Sequence, residues 1–138
     1  EQHVAAPLPD EGAIHGDLFP DNVLFGPSGP VLLDFEQASG GSFAYDLAVV
    51  LLSWCWEAAD VPRACRALVD AYGGPPPGLY TAARLAAARF TLTRVTDVLL
   101  DPRVPAAMRA AKDYRVFHAR LARLFELGPR GFARMLRP

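Results

Sequence analysis

The sequence predicts an α+β fold that is predominantly helical: one small β-hairpin followed by a helical bundle. Two apolar runs, Val23-Leu24-Phe25 and Val31-Leu32-Leu33, flank Gly26-Pro27-Ser28-Gly29-Pro30, whose glycines and prolines suit a tight reversal, so residues 22–35 read as the hairpin. Beyond residue 43 the apolar residues spread round a helix instead of alternating. Helix-stop signals then recur at helix-length intervals, at Gly73-Gly74, Pro102 and Gly128-Pro129.

The elements follow in order. Residues 1–12 are polar and Pro-rich and read as a connection from an upstream segment. Ala13-Ile14 opens a β-rich stretch and leads into a polar loop ahead of the hairpin. Residues 45–57 are apolar almost all round, the pattern of a helix buried in the middle of a lobe. Asp60 suits the N-cap of the next helix and Pro62 its first turn, where a missing N–H costs nothing. That helix ends at Gly73-Gly74, and Pro75-Pro76-Pro77 forbids its continuation. A longer helix is expected over residues 79–100 and another over 113–127.

At 138 residues with 51% apolar content, the chain can bury a core without disulfides or a structural metal. A formal net charge of −1, with arginines scattered among acids, gives no basic field or aromatic platform for nucleic acid. Cys55 and Cys65 are too far apart for a CxxC pair, and Cys55 lies between Trp54 and Trp56 in an apolar run. Cys55 reads as a buried free thiol, and a reducing, cytoplasmic setting is the expectation. Residues 1–9 lack a signal-peptide pattern, and the longest apolar stretch, residues 47–56, is too short to span a bilayer, so no membrane is expected as a partner.

The block that carries chemistry is His15-Gly16-Asp17-Leu18-Phe19-Pro20-Asp21-Asn22, followed by Asp34-Phe35. Phosphoryl transfer requires the γ-phosphoryl group in line with an incoming hydroxyl, magnesium to neutralise its charge, and a carboxylate to receive or orient the hydroxyl proton. Mg²⁺ takes octahedral oxygen coordination and keeps several waters, so a few oxygen ligands suffice. Asp17 and Asn22, five apart, serve both needs from one loop: Asp17 facing the hydroxyl, the Asn22 side-chain oxygen facing the metal. Asp34 ends the second hairpin strand, and the hairpin folds it back beside Asn22. His15 reads as an imidazole that orients the loop, and Asp21 as a turn initiator without chemistry.

This segment resembles the catalytic and metal-binding loops of the protein-kinase-like phosphotransferases, including aminoglycoside phosphotransferases and choline kinases. The resemblance implies that Asp17 is the catalytic base, that Asn22 and Asp34 bind Mg²⁺, and that ATP is the co-substrate. Ile14 to Val23, Ala44-Tyr45-Asp46-Leu47-Ala48 and Trp54-Cys55-Trp56-Glu57 are similar to the bacterial homoserine kinases of this superfamily, and weaker similarity runs through Arg89 to Arg94 and Lys112-Asp113-Tyr114. Asp46 is expected to support the loop by accepting hydrogen bonds from its backbone, which suits a carboxylate near a helix N-terminus.

After Asp34-Phe35 that family carries aromatic residues, whereas here Glu36-Gln37-Ala38-Ser39-Gly40-Gly41 follows, which implies a changed acceptor pocket. For an aminated or amino-acid-like acceptor, Glu36, Glu57 and the pair Arg94 and Asp97 are the substrate-binding candidates, the acids for an ammonium and the arginine for a carboxylate. The fold implied is the C-terminal lobe of a protein-kinase-like enzyme, spanning residues 1–138. Its N-terminal nucleotide lobe is not in the sequence: Lys112 is the only lysine and falls in the helical half, and no glycine-rich strand–turn–strand precedes His15. The isolated lobe is therefore expected not to turn over ATP, and to self-associate through the apolar surface of its cleft. Competing readings are a non-catalytic kinase-like binding or regulatory module, and a metal-assisted hydrolase. The hydrolase would need more ligands than His3 and His118 offer.

Overall fold

A computed structural model of the chain describes residues 8–137. Strand β1 (Gly12–Ile14) pairs antiparallel with β4 (Ser39–Gly41). The hairpin is β2 (Val23–Gly26) with β3 (Gly29–Leu32), closed by Pro27-Ser28 between the paired glycines. Five helices follow: α1 (Phe43–Ser53), α2 (Val61–Tyr72), α3 (Leu79–Thr93), α4 (Ala106–Ala111) and α5 (Tyr114–Met135). The architecture is α+β and mostly helical, as the residue pattern predicts. No helix among the described residues is long and apolar enough to cross a membrane.

Helix α3 is the centre of the bundle, packed on α1 on one side and α5 on the other. Its buried face is built from small residues, Ala82, Ala83, Ala86 and Ala87, which let the neighbouring helices approach closely. Leu51, Leu52, Val49, Val69, Phe117 and Leu124 fill the space around it, with Cys65 and Cys55 as buried, unbridged thiols. Helix α1 is buried on nearly every side, as its unbroken apolar content predicts. At α2, Asp60 accepts a hydrogen bond from the Arg63 N–H (3.0 Å). The left-handed Gly73 closes the other end: its N–H donates to the Asp70 carbonyl, and Gly74 N–H to the Val69 carbonyl, the paired bonds of a Schellman cap.

Several elements differ from expectation, for physical reasons. The long helix over 79–100 turns into a π-helical segment from Arg94 to Leu99 before Pro102 ends it. At Gly128 the backbone leaves the helix (φ 61°, ψ 175°), as expected. Pro129 then starts a further helical stretch, because proline is tolerated in a first turn, and Phe132 and Leu136 bury themselves against the bundle. Part of the expected connecting segment is also ordered. Glu11 N–H donates to Gly41 O (2.9 Å), and the Glu11 carboxylate accepts from Ser42 Oγ (2.9 Å) and Phe43 N–H (3.0 Å), capping α1 from a distance. The rest of that segment, residues 1–7, and His3 with it, lies outside the described residues.

Candidate active site

The loop from His15 to Asn22 joins β1 to the hairpin and is held from several directions. Asp46, in the first turn of α1, accepts the His15 N–H at Oδ2 (2.7 Å) and the Gly16 N–H at Oδ1 (2.8 Å). The buried His15 donates from Nε2 to the Leu33 carbonyl (2.7 Å), and its Nδ1 accepts the Asp17 N–H (3.3 Å). Those two partners assign the neutral tautomer with the proton on Nε2. The imidazole thus ties the loop to the end of the hairpin, and Asp46 ties it to the start of α1. On the far side, Trp54 Nε1–H donates to the Leu18 carbonyl (3.0 Å). Below, Phe19 packs edge-on against Phe90 (4.8 Å between centroids) and against Phe117 (5.7 Å).

Asp46→Ala strands two backbone N–H groups that are partly buried, each worth about 1–3 kcal/mol of desolvation. Denaturant titration should show a loss of about 2–4 kcal/mol, with Asp46→Asn, which keeps one acceptor oxygen, recovering part of it.

Asn22 Nδ2 donates to the Asp17 carbonyl (2.8 Å) and to Asp17 Oδ2 (3.2 Å), which leaves the Asn22 amide oxygen uncommitted. Leu33 N–H donates to Asn22 O (2.9 Å), extending the hairpin ladder by one rung and bringing Asp34 alongside Asn22. Asp34 is the only non-glycine with positive φ among the described residues (φ 59°, ψ 69°). A left-handed residue of this kind is strained by about 1–2 kcal/mol, and such strain is typically stored at functional sites. Its carboxylate has no hydrogen-bonding partner among the described residues. Asn22 is bonded to Asp17, and Asp34 lies close enough for its charge to act on Asp17.

Burial pushes the Asp17 carboxyl above the ordinary aspartate value of 3.8, opposed by the Arg89 charge and the Asn22 hydrogen bond, with Asp34 adding to the rise and Lys112 opposing it. Among the described residues no group of three or more His, Cys, Asp or Glu converges as a metal cage. The oxygen set of Asn22 and Asp34 suits a hard cation that fills the rest of its shell with waters and phosphate oxygens.

One residue escaped sequence reasoning. Arg89 on α3 donates to the Gly16 carbonyl (2.7 Å), to the Tyr45 hydroxyl (3.0 Å) and, through its other terminal nitrogen, to Gln37 Oε1 (2.7 Å). It joins the loop from His15 to Asn22, α1 and the segment after Asp34 in one clamp. At Gly16 (φ 78°) a Cβ would stand 2.9 Å from the Gln37 carbonyl oxygen, so the close approach that the clamp requires admits only glycine. The signal was present: an arginine set among the buried Ala86, Ala87 and Phe90 needs an internal partner.

The substrate candidates disperse. Glu36 is exposed in the single 3₁₀ turn after Asp34. Glu57 pairs with the buried Arg120, whose other nitrogen donates to the Leu52 carbonyl (2.8 Å), so it serves the bundle. Arg94 and Asp97 do not pair: Arg94 donates to the Asp113 carbonyl (3.2 Å) and lies over Phe117 (4.5 Å), while Asp97 accepts the Thr96 hydroxyl (2.6 Å). A cavity of about 630 Å³ lies behind the loop, with Gly16, Gln37, Tyr45 and Arg89 in its wall beside Ser39, Gly40 and Gly41 of the polar segment.

With this loop, hairpin and buried helix in place, comparison with known proteins gives the class. Residues 1–88 match the model of the phosphotransferase enzyme family, and the chain belongs to that family. Its relatives include proteins named homoserine kinase. That of Parvibaculum lavamentivorans is 42% identical over 121 residues (80% of this chain, 37% of the relative). That of Nitrobacter winogradskyi is 45% identical over 114 residues (72% and 35%), and that of Methylobacterium radiotolerans 40% over 131 residues (88% and 40%). The chain thus spans little more than a third of the length of the curated relatives it matches. No solved structure matches it significantly.

Proposed function

We propose that the chain is the C-terminal, catalytic lobe of a cytoplasmic kinase-like enzyme that transfers the γ-phosphoryl group of Mg-ATP to the hydroxyl of a small molecule. The acceptor is homoserine or a homoserine-like amino acid, with amino alcohols and aminoglycosides as the other classes to test. The observation that carries this reading is the convergence of Asp17, Asn22 and Asp34 around one loop that Asp46, His15 and Trp54 hold in place. The names of the relatives favour homoserine.

Asp17 accepts the proton of the acceptor hydroxyl as its oxygen bonds to the γ-phosphorus, and the bond from that phosphorus to the bridging oxygen breaks, releasing ADP. The Asn22 amide N–H holds the Asp17 carboxylate in one orientation. The amide oxygen of Asn22 and the carboxylate of Asp34 would hold magnesium, which supplies charge neutralisation at the phosphates when bound. The hairpin leaves Leu24, Phe25, Val31 and Leu32 exposed, Phe25 at 73%. A nucleotide-binding lobe covering that face accounts for an apolar surface that a free lobe would use to self-associate.

The test is acceptor-dependent ADP release by the full-length parent with Mg-ATP, across homoserine, choline-like amines and aminoglycosides. Release with one class names it; tight Mg-ATP binding without release with any acceptor favours a regulatory module instead. Robust ATP-dependent phosphorylation by these 138 residues alone would contradict the assignment to a single lobe.

A further inference from the structure

Arg89 makes no ion pair among the described residues. Its guanidinium is spent on three neutral oxygens: the Gly16 carbonyl (2.7 Å), the Tyr45 hydroxyl (3.0 Å) and Gln37 Oε1 (2.7 Å). Each belongs to a different element, the loop from His15 to Asn22, the first turn of α1 and the 3₁₀ turn of Phe35–Gln37. A guanidinium presents its donors in a rigid planar fork, so fixing one of these oxygens constrains the others. Bonds from a charged donor are roughly twice as strong as neutral ones. The anchor is firm as well, because α3 is the centre of the bundle and Ala86, Ala87 and Phe90 beside Arg89 are buried.

The two ends of the fork fall where relative placement matters. Gly16 immediately precedes Asp17, and Gln37 follows Asp34 by three residues across the 3₁₀ turn. The other hydrogen bonds that hold the loop do not reach that turn. Asp46 binds the loop from α1, Trp54 binds it at the Leu18 carbonyl, and His15 bonds the hairpin at Leu33. The His15 ring touches the turn only by packing on Phe35 (4.7 Å between centroids). Arg89 alone, among the described residues, hydrogen-bonds both the loop and the turn. It makes no hydrogen bond to Asp17, Asn22 or Asp34, so it acts on them through the backbone that carries them.

Resting on the kinase reading above, we infer that Arg89 is a positioning residue for phosphoryl transfer. It locks the loop that carries Asp17 to the turn that follows Asp34, and so fixes the base and the metal ligand in one relative geometry. The fork does this, and positive charge alone does not suffice: an ammonium is a point donor that cannot span Gly16 and Gln37 together.

The experiment compares Arg89→Met, Arg89→Lys and Gln37→Met in the full-length parent. In Arg89→Met, kcat should fall about tenfold to a hundredfold, the cost that a misplacement of about 1 Å commonly carries. KM for Mg-ATP and for the acceptor should each move less than about threefold. Arg89→Lys keeps the charge and should recover little of kcat. Gln37→Met should reproduce part of the fall, and adding it to Arg89→Met should lower kcat no further, since both remove the same tie. Hydrogen exchange gives a readout that does not need turnover. The Asp17 N–H bonds His15 Nδ1 (3.3 Å) and the Ala38 N–H bonds the Phe35 carbonyl (3.0 Å), and both should exchange faster together while α1 and α5 keep their protection. Gln37 is exposed, so its variant decides the matter if Arg89→Met does not fold. Full recovery of kcat in Arg89→Lys, unchanged kcat and exchange in Gln37→Met, or protection lost throughout the bundle overturns the inference. Faster exchange at both segments in variants of a parent that releases no ADP upholds the clamp and overturns the kinase reading.

Discussion

Asp17→Asn in the full-length parent is expected to lower kcat by about a hundred- to ten-thousandfold, the share of the barrier that a positioned general base commonly removes. Nucleotide affinity should stay close to that of the parent. The substitution keeps size and shape and takes away only the group that accepts the proton. The backbone bond from Asn22 Nδ2 to the carbonyl of residue 17 does not depend on the side chain (2.8 Å), so the loop keeps its path. The fold should gain slightly at neutral pH. Because burial raises the Asp17 pKa in the folded state, the folded chain binds more protons than the unfolded one, and this carboxylate's contribution declines as pH rises from 3.8 through the folded value. Asparagine removes that decline. Thermal melting at neutral pH, compared with melting in mild acid, checks the sign: the difference between variant and parent should favour the variant at neutral pH and shrink in acid.

Asp34→Ala should act on another step, weakening Mg-ATP binding about ten- to a hundredfold through loss of a charged metal ligand. Its stability effect separates from its binding effect because the backbone here is left-handed (φ 59°). Alanine tolerates that conformation less well than aspartate and glycine tolerates it freely, so Asp34→Gly should be the more stable of the two by about 1 kcal/mol. Both should lose Mg-ATP to the same extent, which titration calorimetry with and without magnesium would measure. Equal affinity in parent and variants would remove Asp34 from the metal site.

Much of this site was legible because it is local. His15, Asp17 and Asn22 share one loop, and the hairpin that returns Asp34 to them announces itself in Gly26 to Pro30 between two apolar runs. The ends of α2 were equally plain, since Asp60, Pro62 and Gly73 each act on their own neighbours. The β1–β4 pair was not, for three-residue strands with Ile14 as their one large apolar residue carry no alternation, and their register is set by partners some 27 positions away, Gly12 with Gly41 at the outer rung being 29 apart. Helix α4 is six residues of mostly alanine and methionine, too short for a period to emerge.

Arg89 shows the same limit at the site itself. Its bond to Gly16 spans 73 residues, and nothing in the neighbourhood of Arg89 states which carbonyl it will reach. Arg94 and Asp97 do not meet on the helix for a related reason. Spacing of three along a regular helix brings two side chains together, but the segment from Arg94 to Leu99 is π-helical, and the aromatic surface of Phe117 holds the guanidinium elsewhere.

The central claim is that Asp17 serves phosphoryl transfer to a hydroxyl. The most direct measurement is phosphorus NMR of the full-length parent with Mg-ATP and homoserine, run beside Asp17→Asn. The account predicts a phosphomonoester resonance that grows with ADP in the parent and is lost in the variant. ATP converted to inorganic phosphate with no ester, or an ester formed as fast by Asp17→Asn as by the parent, would contradict it.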